Sequence, residues 1–147
     1  MGSLVIPLWI VTAIATVLLL VVAAFTARRL TLARAVGSFD CSLLRERADG
    51  AGSWISGVAS YGTGELRWYR LFSLSPRPAH VWRRTALRVK EFRTPERGEV
   101  FAVLPGAVVV TCQLEDHDLH LAMGRDAYNG FASWVEAAPP GQHARVT

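Results

Sequence analysis

Hydrophobic and polar positions fall into three regimes along the chain. From Leu4 to Ala27, 24 consecutive residues carry no charge. As a helix that run reaches about 36 Å at 1.5 Å per residue, enough to cross a hydrocarbon core of roughly 30 Å with some tilt. A soluble helix seldom stays apolar on every side for six turns. The pattern therefore predicts a membrane helix. Arg28, Arg29 and Arg34 follow at once, whereas Met1 to Ser3 bring only the terminal amine. Excess Lys and Arg marks the cytoplasmic flank, so the remainder of the chain is expected in the cytoplasm, with the N-terminus outside. A cleaved signal peptide would want a basic n-region and a shorter apolar core; Val22-Ala23-Ala24 is a passable cleavage site for that alternative. Gly37-Ser38 then gives a helix stop.

From Phe39 the period shortens to two. Phe39, Cys41 and Leu43 alternate with Asp40 and Ser42, a first strand. Arg45 to Ser53 is polar and Gly-rich, a hairpin loop, and Trp54 to Tyr61 is a second strand. Gly62-Thr63-Gly64 turns the chain into a third, aromatic-rich strand from Glu65 to Leu74. Pro76 and Pro78 make Ser75 to Arg84 a loop. A fourth strand is expected over Thr85–Arg93, a fifth over Glu99–Leu104, a sixth over Ala107–Glu115 and a seventh over Leu119–Met123.

The third regime is helical. Ala127, Tyr128, Phe131, Trp134, Val135 and Ala138 make one apolar stripe, with Asp126 placed to cap the helix. Pro139-Pro140-Gly141 ends it. Three parts follow: residues 1–38, a transmembrane helix with a basic collar; 39–138, a mainly-β domain; and 139–147, a loose tail. Seven strands must close or pack on themselves to manage their edges, and a terminal helix with one greasy face suits an open barrel end. This order resembles the pleckstrin-homology (PH) superfold, a seven-stranded PH-like antiparallel barrel closed by a C-terminal amphipathic helix. The resemblance gives Trp134 the role of that helix's buried tryptophan.

The whole chain also resembles a family of actinobacterial single-pass membrane proteins of unknown function, DUF2550. The residues that carry this likeness are the span with its Arg collar, FDCSL at 39–43, RWYRLFSLSPRP at 67–78 and SWVEAAPPG at 133–141. The likeness implies a membrane protein and no particular activity.

Charge changes the picture because it is unevenly placed. The net +4 of the chain comes from the collar and one stretch, since residues 65–93 hold eight basic groups and two acids. Residues 94–147 hold three basic groups and seven acids. No broad basic face results, so nucleic acid is not an expected partner. Cys41 and Cys112 lack a CxxC neighbour and read as small buried thiols.

Candidate chemistry is thin. His117 and His120 flank Asp118, but residues three apart in a strand point to opposite faces, so no metal site is expected. No P-loop, GxGxxG or GxSxG is present, and no cofactor or catalytic group is assigned. The basic residues are the candidate contacts: Arg45 and Arg47 in the first hairpin, Arg67 and Arg70 in the third strand, then Arg83, Arg84, Arg88 and Lys90, with Arg28, Arg29 and Arg34 beside the membrane. Trp68, among them, reads as core. The expected function is a membrane-anchored, non-catalytic cytoplasmic binding or adaptor module for a protein partner at the inner leaflet of a bacterial cell. Contact with anionic phospholipid would set its orientation. The alternative is a sensor of anionic lipid headgroups using Arg45, Arg47 and the basic residues of 83–90. An enzyme and an extracytoplasmic domain rank below both.

Overall fold

A computed structural model describes residues 7–34, 37–47, 50 and 52–137. Helix α1 spans Leu8–Arg34, one turn beyond the arginine pair that opens the collar. Its apolar window is not buried by the rest of the protein, and over Leu8–Leu32 it is long and apolar enough for a membrane span or a signal sequence. Its threonine hydroxyls are satisfied within the helix. Thr12, Thr16 and Thr26 donate to carbonyls one turn earlier, Leu8, Thr12 and Val22, at 2.8–3.1 Å, as an apolar surrounding demands. The glycine stop is present: Gly37 has φ +80°, a left-handed conformation that glycine adopts without strain.

The strands are β1 (Ser38–Glu46), β2 (Gly52–Ile55), β3 (Gly57–Tyr61), β4 (Glu65–Arg70), β5 (His80–Arg83), β6 (Leu87–Arg93), β7 (Ala107–Leu114) and β8 (His117–Gly124). They form one antiparallel sheet in the order β5-β4-β3-β1-β8-β7-β6, with β2 also pairing β1. The sheet curls into a PH-like half-barrel. It does not close by pairing: β5 and β6 are its two edges, joined by a 3-10 turn at Arg84–Ala86. Helix α2 (Arg125–Glu136) packs against it.

Seven strands lie along the main path, yet not all are the expected seven. The second strand is in two pieces of one register, since Leu43↔Ile55 and Asp40↔Val58 are offset alike. The interruption at Ser56, just before Gly57, has a cause. A Cβ on Gly57 would lie 2.4 Å from Trp68 Cε2 and 2.5 Å from the Tyr69 carbonyl oxygen, so the Trp68 ring lies directly on the Gly57 backbone. Trp68 is fully buried, as expected, and its Nε1–H donates to the Cys41 carbonyl oxygen at 2.8 Å. The indole supplies a partner to a buried carbonyl where the β1 ladder has its gap.

Several expectations need correction. The third strand, expected to Leu74, stops at Arg70, where the chain turns. The loop at 45–53 is shorter, because β1 extends through Arg45 and Glu46 to pair with Gly52 and Ser53. The prolines do not make all of 75–84 a loop: His80–Arg83 is an edge strand, the position where nearby prolines cost no ladder bonds. The fifth strand, at 99–104, is absent. There the amides of Glu99 and Val100 bond back to the Glu96 carbonyl, and those of Ala102 and Val103 to Glu99, making tight turns. A bidentate pair of Arg93 with Glu99, at 2.7 and 3.0 Å, holds them, and Val103 packs with Ala107, Val109, Ala122 and Trp54 on the outer face. Finally, Gly124 occupies the N-cap of α2 without a side-chain cap; Asp126 lies in the first turn, where it complements the helix dipole.

The main core fills the concave side. Cys41, Leu43, Leu66, Trp68, Val108, Val110, Cys112, Leu121, Met123 and Phe131 belong to it. Phe131 is the one residue of α2 that is fully buried; Trp134, given that role by resemblance, is half-buried and rests on Tyr61 at 5.2 Å between ring centroids. The tail at 139–147 and residues 1–6 lie outside the described residues.

Candidate functional site

The half-barrel has two unlike ends. At one, α2 acts as a plug. Tyr61 meets Trp134 and also Phe39 at 5.1 Å, Tyr128 meets Phe92 at 4.9 Å, and the Arg84 guanidinium lies 5.6 Å over Trp134. The chain arrives from α1 at this same end: the Tyr61 amide donates to the Gly37 carbonyl at 3.2 Å, and a Cβ on Gly37 would lie 3.2 Å from the Tyr61 ring.

The other end is an open mouth, a cavity of about 390 Å³. Alternation builds it. Leu43 and Arg45 share the inward face of β1, Trp68 and Arg70 that of β4, His80 and Trp82 that of β5, and His117 and Leu119 that of β8. Each strand thus ends in a polar group placed over an apolar neighbour. Leu43, Ile55, Trp82 and Leu119 make the floor, and Arg45, Arg70, His80 and His117 line the rim. Along β1, Arg45 is about 23 Å from Ser38 at roughly 3.3 Å per residue.

Electrostatically the mouth is unbalanced. No ion pair engages Arg45 or Arg70 among the described residues; the pairs present are Arg67–Glu65, Lys90–Asp118 and Arg93–Glu99. The His80 ring lies flat on Trp82, 5.5 Å away and 1° from parallel, and 5.6 Å from Trp68. Burial, and then the positive charges of Arg70 and Arg45, hold its pKa below the usual imidazole value. Glu46 and Asp118 also reach this cavity, Asp118 already bonded to Lys90 Nζ at 2.7 Å.

The basic residues singled out from sequence are distributed over several surfaces. Arg45 and Arg70 both line the mouth, and Arg47 is exposed beside it, lining a second depression with Arg45, Glu46, Ser53 and Ile55. Arg67 is on the outer face of β4, its Nε 2.7 Å from Glu65. Arg83 is exposed at the end of β5 paired with Glu65, and Arg84 lies against Trp134; both belong to the plugged end. Arg88 and Lys90 face outward from β6. Arg28, Arg29 and Arg34 occupy the last two turns of α1, with Arg29 and Arg34 exposed. His80, Trp82 and His117 are the mouth residues that the sequence reading did not place there. The signal for the first two was the inward alternation of His80 and Trp82, visible only once that segment is taken as a strand.

The remaining reactive types are used structurally. Cys41 and Cys112 are free and buried, and burial pushes the Cys112 thiol up to about 12 and the Cys41 thiol higher still. His120 Nδ1 is 3.2 Å from the Thr111 hydroxyl, on the face opposite His117. No group of three or more His, Cys, Asp or Glu side chains suited to a metal ion occurs among the described residues.

A family model for proteins of unknown function, DUF2550, matches residues 15–141. The chain belongs to the DUF2550 family. Two curated relatives from Mycobacterium tuberculosis, the uncharacterized proteins MT1352 of strain CDC 1551 and Rv1312 of strain H37Rv, are each 32% identical over 97 residues. Those residues are 63% of this chain and 65% of each relative's length, so the match spans just under two thirds of the relatives. No solved structure matches the chain. The matched family region takes in all but about the first two turns of α1, the whole half-barrel and α2.

Proposed function

We propose that this DUF2550 protein is a membrane-anchored, non-catalytic binding module, held by α1 at the inner leaflet of a bacterial cell membrane and presenting the barrel mouth to a cytoplasmic protein. The observation that carries this reading is the polarity of the half-barrel: the chain arrives from α1 at the plugged end, beside Tyr61, and the mouth is the other end. A binding face turned away from a bilayer is suited to a soluble partner. Arg28, Arg29 and Arg34 support the cytoplasmic side for the domain through the positive-inside tendency. Anionic phospholipid would act at the plugged end, where Arg83 is exposed, each such group contributing about 1 kcal/mol close to the surface.

The test is crosslinking in intact membranes from a photoreactive residue at position 55 in the mouth, read by mass spectrometry. The reading expects a reproducible protein adduct that is lost when Arg45 and Arg70 are both replaced by Ala. Adducts with phospholipid instead would favour the second reading, a sensor of anionic headgroups. Cleavage of the C-terminal domain by protease added to intact cells would end the cytoplasmic placement.

A further inference from the structure

We propose that the mouth binds an acidic, partly apolar peptide segment, seating its carboxylates on Arg45 and Arg70 and an adjacent apolar side chain on the floor made by Leu43, Ile55, Trp82 and Leu119. This deepens the reading of a protein-binding module and rests on it for the identity of the mouth as the binding face.

Charge complementarity is the first argument. Arg45 and Arg70 come from strands on either side of β3 and carry no ion pair among the described residues, whereas Arg67, Lys90 and Arg93 are each matched to an acid. Their positive charges reach the same imidazole, His80. A guanidinium is a planar fork that matches a carboxylate with two parallel hydrogen bonds. Two unpaired forks at one rim therefore ask for an acidic ligand.

The second argument is the floor. A site for a small inorganic anion needs no apolar base, yet here five apolar side chains, Leu44 among them, line the same cavity as the arginines. Trp82 is buried to 7% exposure beneath a stacked imidazole, so the floor is rigid and largely dehydrated. A ligand with carboxylates alternating with apolar groups uses both parts; a free phosphate uses only the rim.

Position chooses between a peptide and a lipid surface. Helix α2 and the arrival of the chain at Gly37 occupy the end of the barrel next to α1. Arg45 is about 23 Å further along β1, several screening lengths of roughly 8 Å at physiological salt. A headgroup in the same bilayer is poorly placed to reach it.

The test uses the full chain in phosphatidylcholine nanodiscs and a fluorescein-labelled heptapeptide of alternating glutamate and leucine, followed by fluorescence anisotropy. The glutamine counterpart of that peptide, inorganic phosphate and phosphatidylglycerol vesicles serve as competitors. The expected result is saturable binding of the glutamate peptide, weakened at least about tenfold by R45A and by R70A, the loss of one charge-assisted carboxylate contact. R67A, on the outer face, should leave it unchanged. R45Q and R70Q, with thermal melts of every variant, separate lost binding from lost folding. Absence of binding, equal binding of the glutamine peptide, or equal weakening by R67A would overturn the proposal. So would displacement by phosphatidylglycerol vesicles that depends on Arg45, which would make the mouth a lipid site. The nanodisc assay is indifferent to which side of the cell membrane the domain occupies. A mouth that binds this peptide in a protein whose domain proves extracytoplasmic would keep this inference and end the adaptor reading.

Discussion

The two ends of the half-barrel use the same strands to opposite effect. At the plugged end, Phe39, Tyr61, Phe92, Tyr128, Phe131 and Trp134 close the core with ring against ring, and Arg84 is spread over an indole. At the mouth the strands run out two residues past the last buried apolar group and end in Arg45, Arg70, His80 and His117, with no element over them among the described residues. The plug maximises apolar burial, the main source of stability. The mouth sets two arginines against one acid not held by a lysine, Glu46, a surplus of positive charge that a bound acid would relieve. Apolar burial and exposed charge are thus segregated along the barrel axis, and substitutions should sort by end.

The largest expected effect breaks the wall shared by both ends. G57A should leave little folded protein, because the new methyl would overlap the Tyr69 carbonyl as well as the Trp68 ring, and backbone cannot step aside cheaply. Circular dichroism of the purified chain checks it. Next is the plug itself. F131A removes the fully buried residue of α2 and should cost about 3–5 kcal/mol, seen as a large fall in Tm. W68F keeps most of the ring volume but orphans the Cys41 carbonyl, and about 1–3 kcal/mol is expected from denaturant unfolding.

Smaller effects sharpen the contrast. Both thiols have pKa values above the ordinary value of about 9, so they are protonated at pH 8 and neither should react with a maleimide until the protein unfolds. The sign for stability follows: the folded state favours the protonated thiols, so their contribution is intact below about pH 9 and is lost progressively as pH rises beyond it. At the mouth, R45A and R70A should change stability by no more than about 0.5 kcal/mol, since both arginines are exposed and neither has an ion pair among the described residues. A loss comparable to F131A would erase the distinction between the ends.

Legibility in the sequence followed periodicity. The first strand, the sixth and seventh strands and the terminal helix were readable because Cys41/Leu43, Val108/Val110/Cys112 and Leu119/Leu121/Met123 alternate cleanly and Phe131 lies on a helical stripe. Segment 99–104 looked equally strand-like, but Glu99 is tied to Arg93 and to the Glu96 amide, and such side-chain bonds leave no trace in hydropathy. Strand β5 was obscured by Pro76 and Pro78, which matter little to an edge. The site was legible as residues and illegible as a place. Arg45 and Arg70 stood out by charge, but only the pairing of β1 with β3 and of β3 with β4 brings them to one rim, and that requires knowing that the strand between them is broken at Ser56, before Gly57.

The central claim is that the mouth points away from the bilayer. Energy transfer tests it directly: a donor on R45C or on T63C in the full chain, with acceptors on lipid headgroups of the nanodisc, Cys41 and Cys112 being too buried to label. The account predicts clearly weaker transfer from position 45 than from position 63, which belongs to the turn at the plugged end. Equal or stronger transfer from position 45 would contradict it.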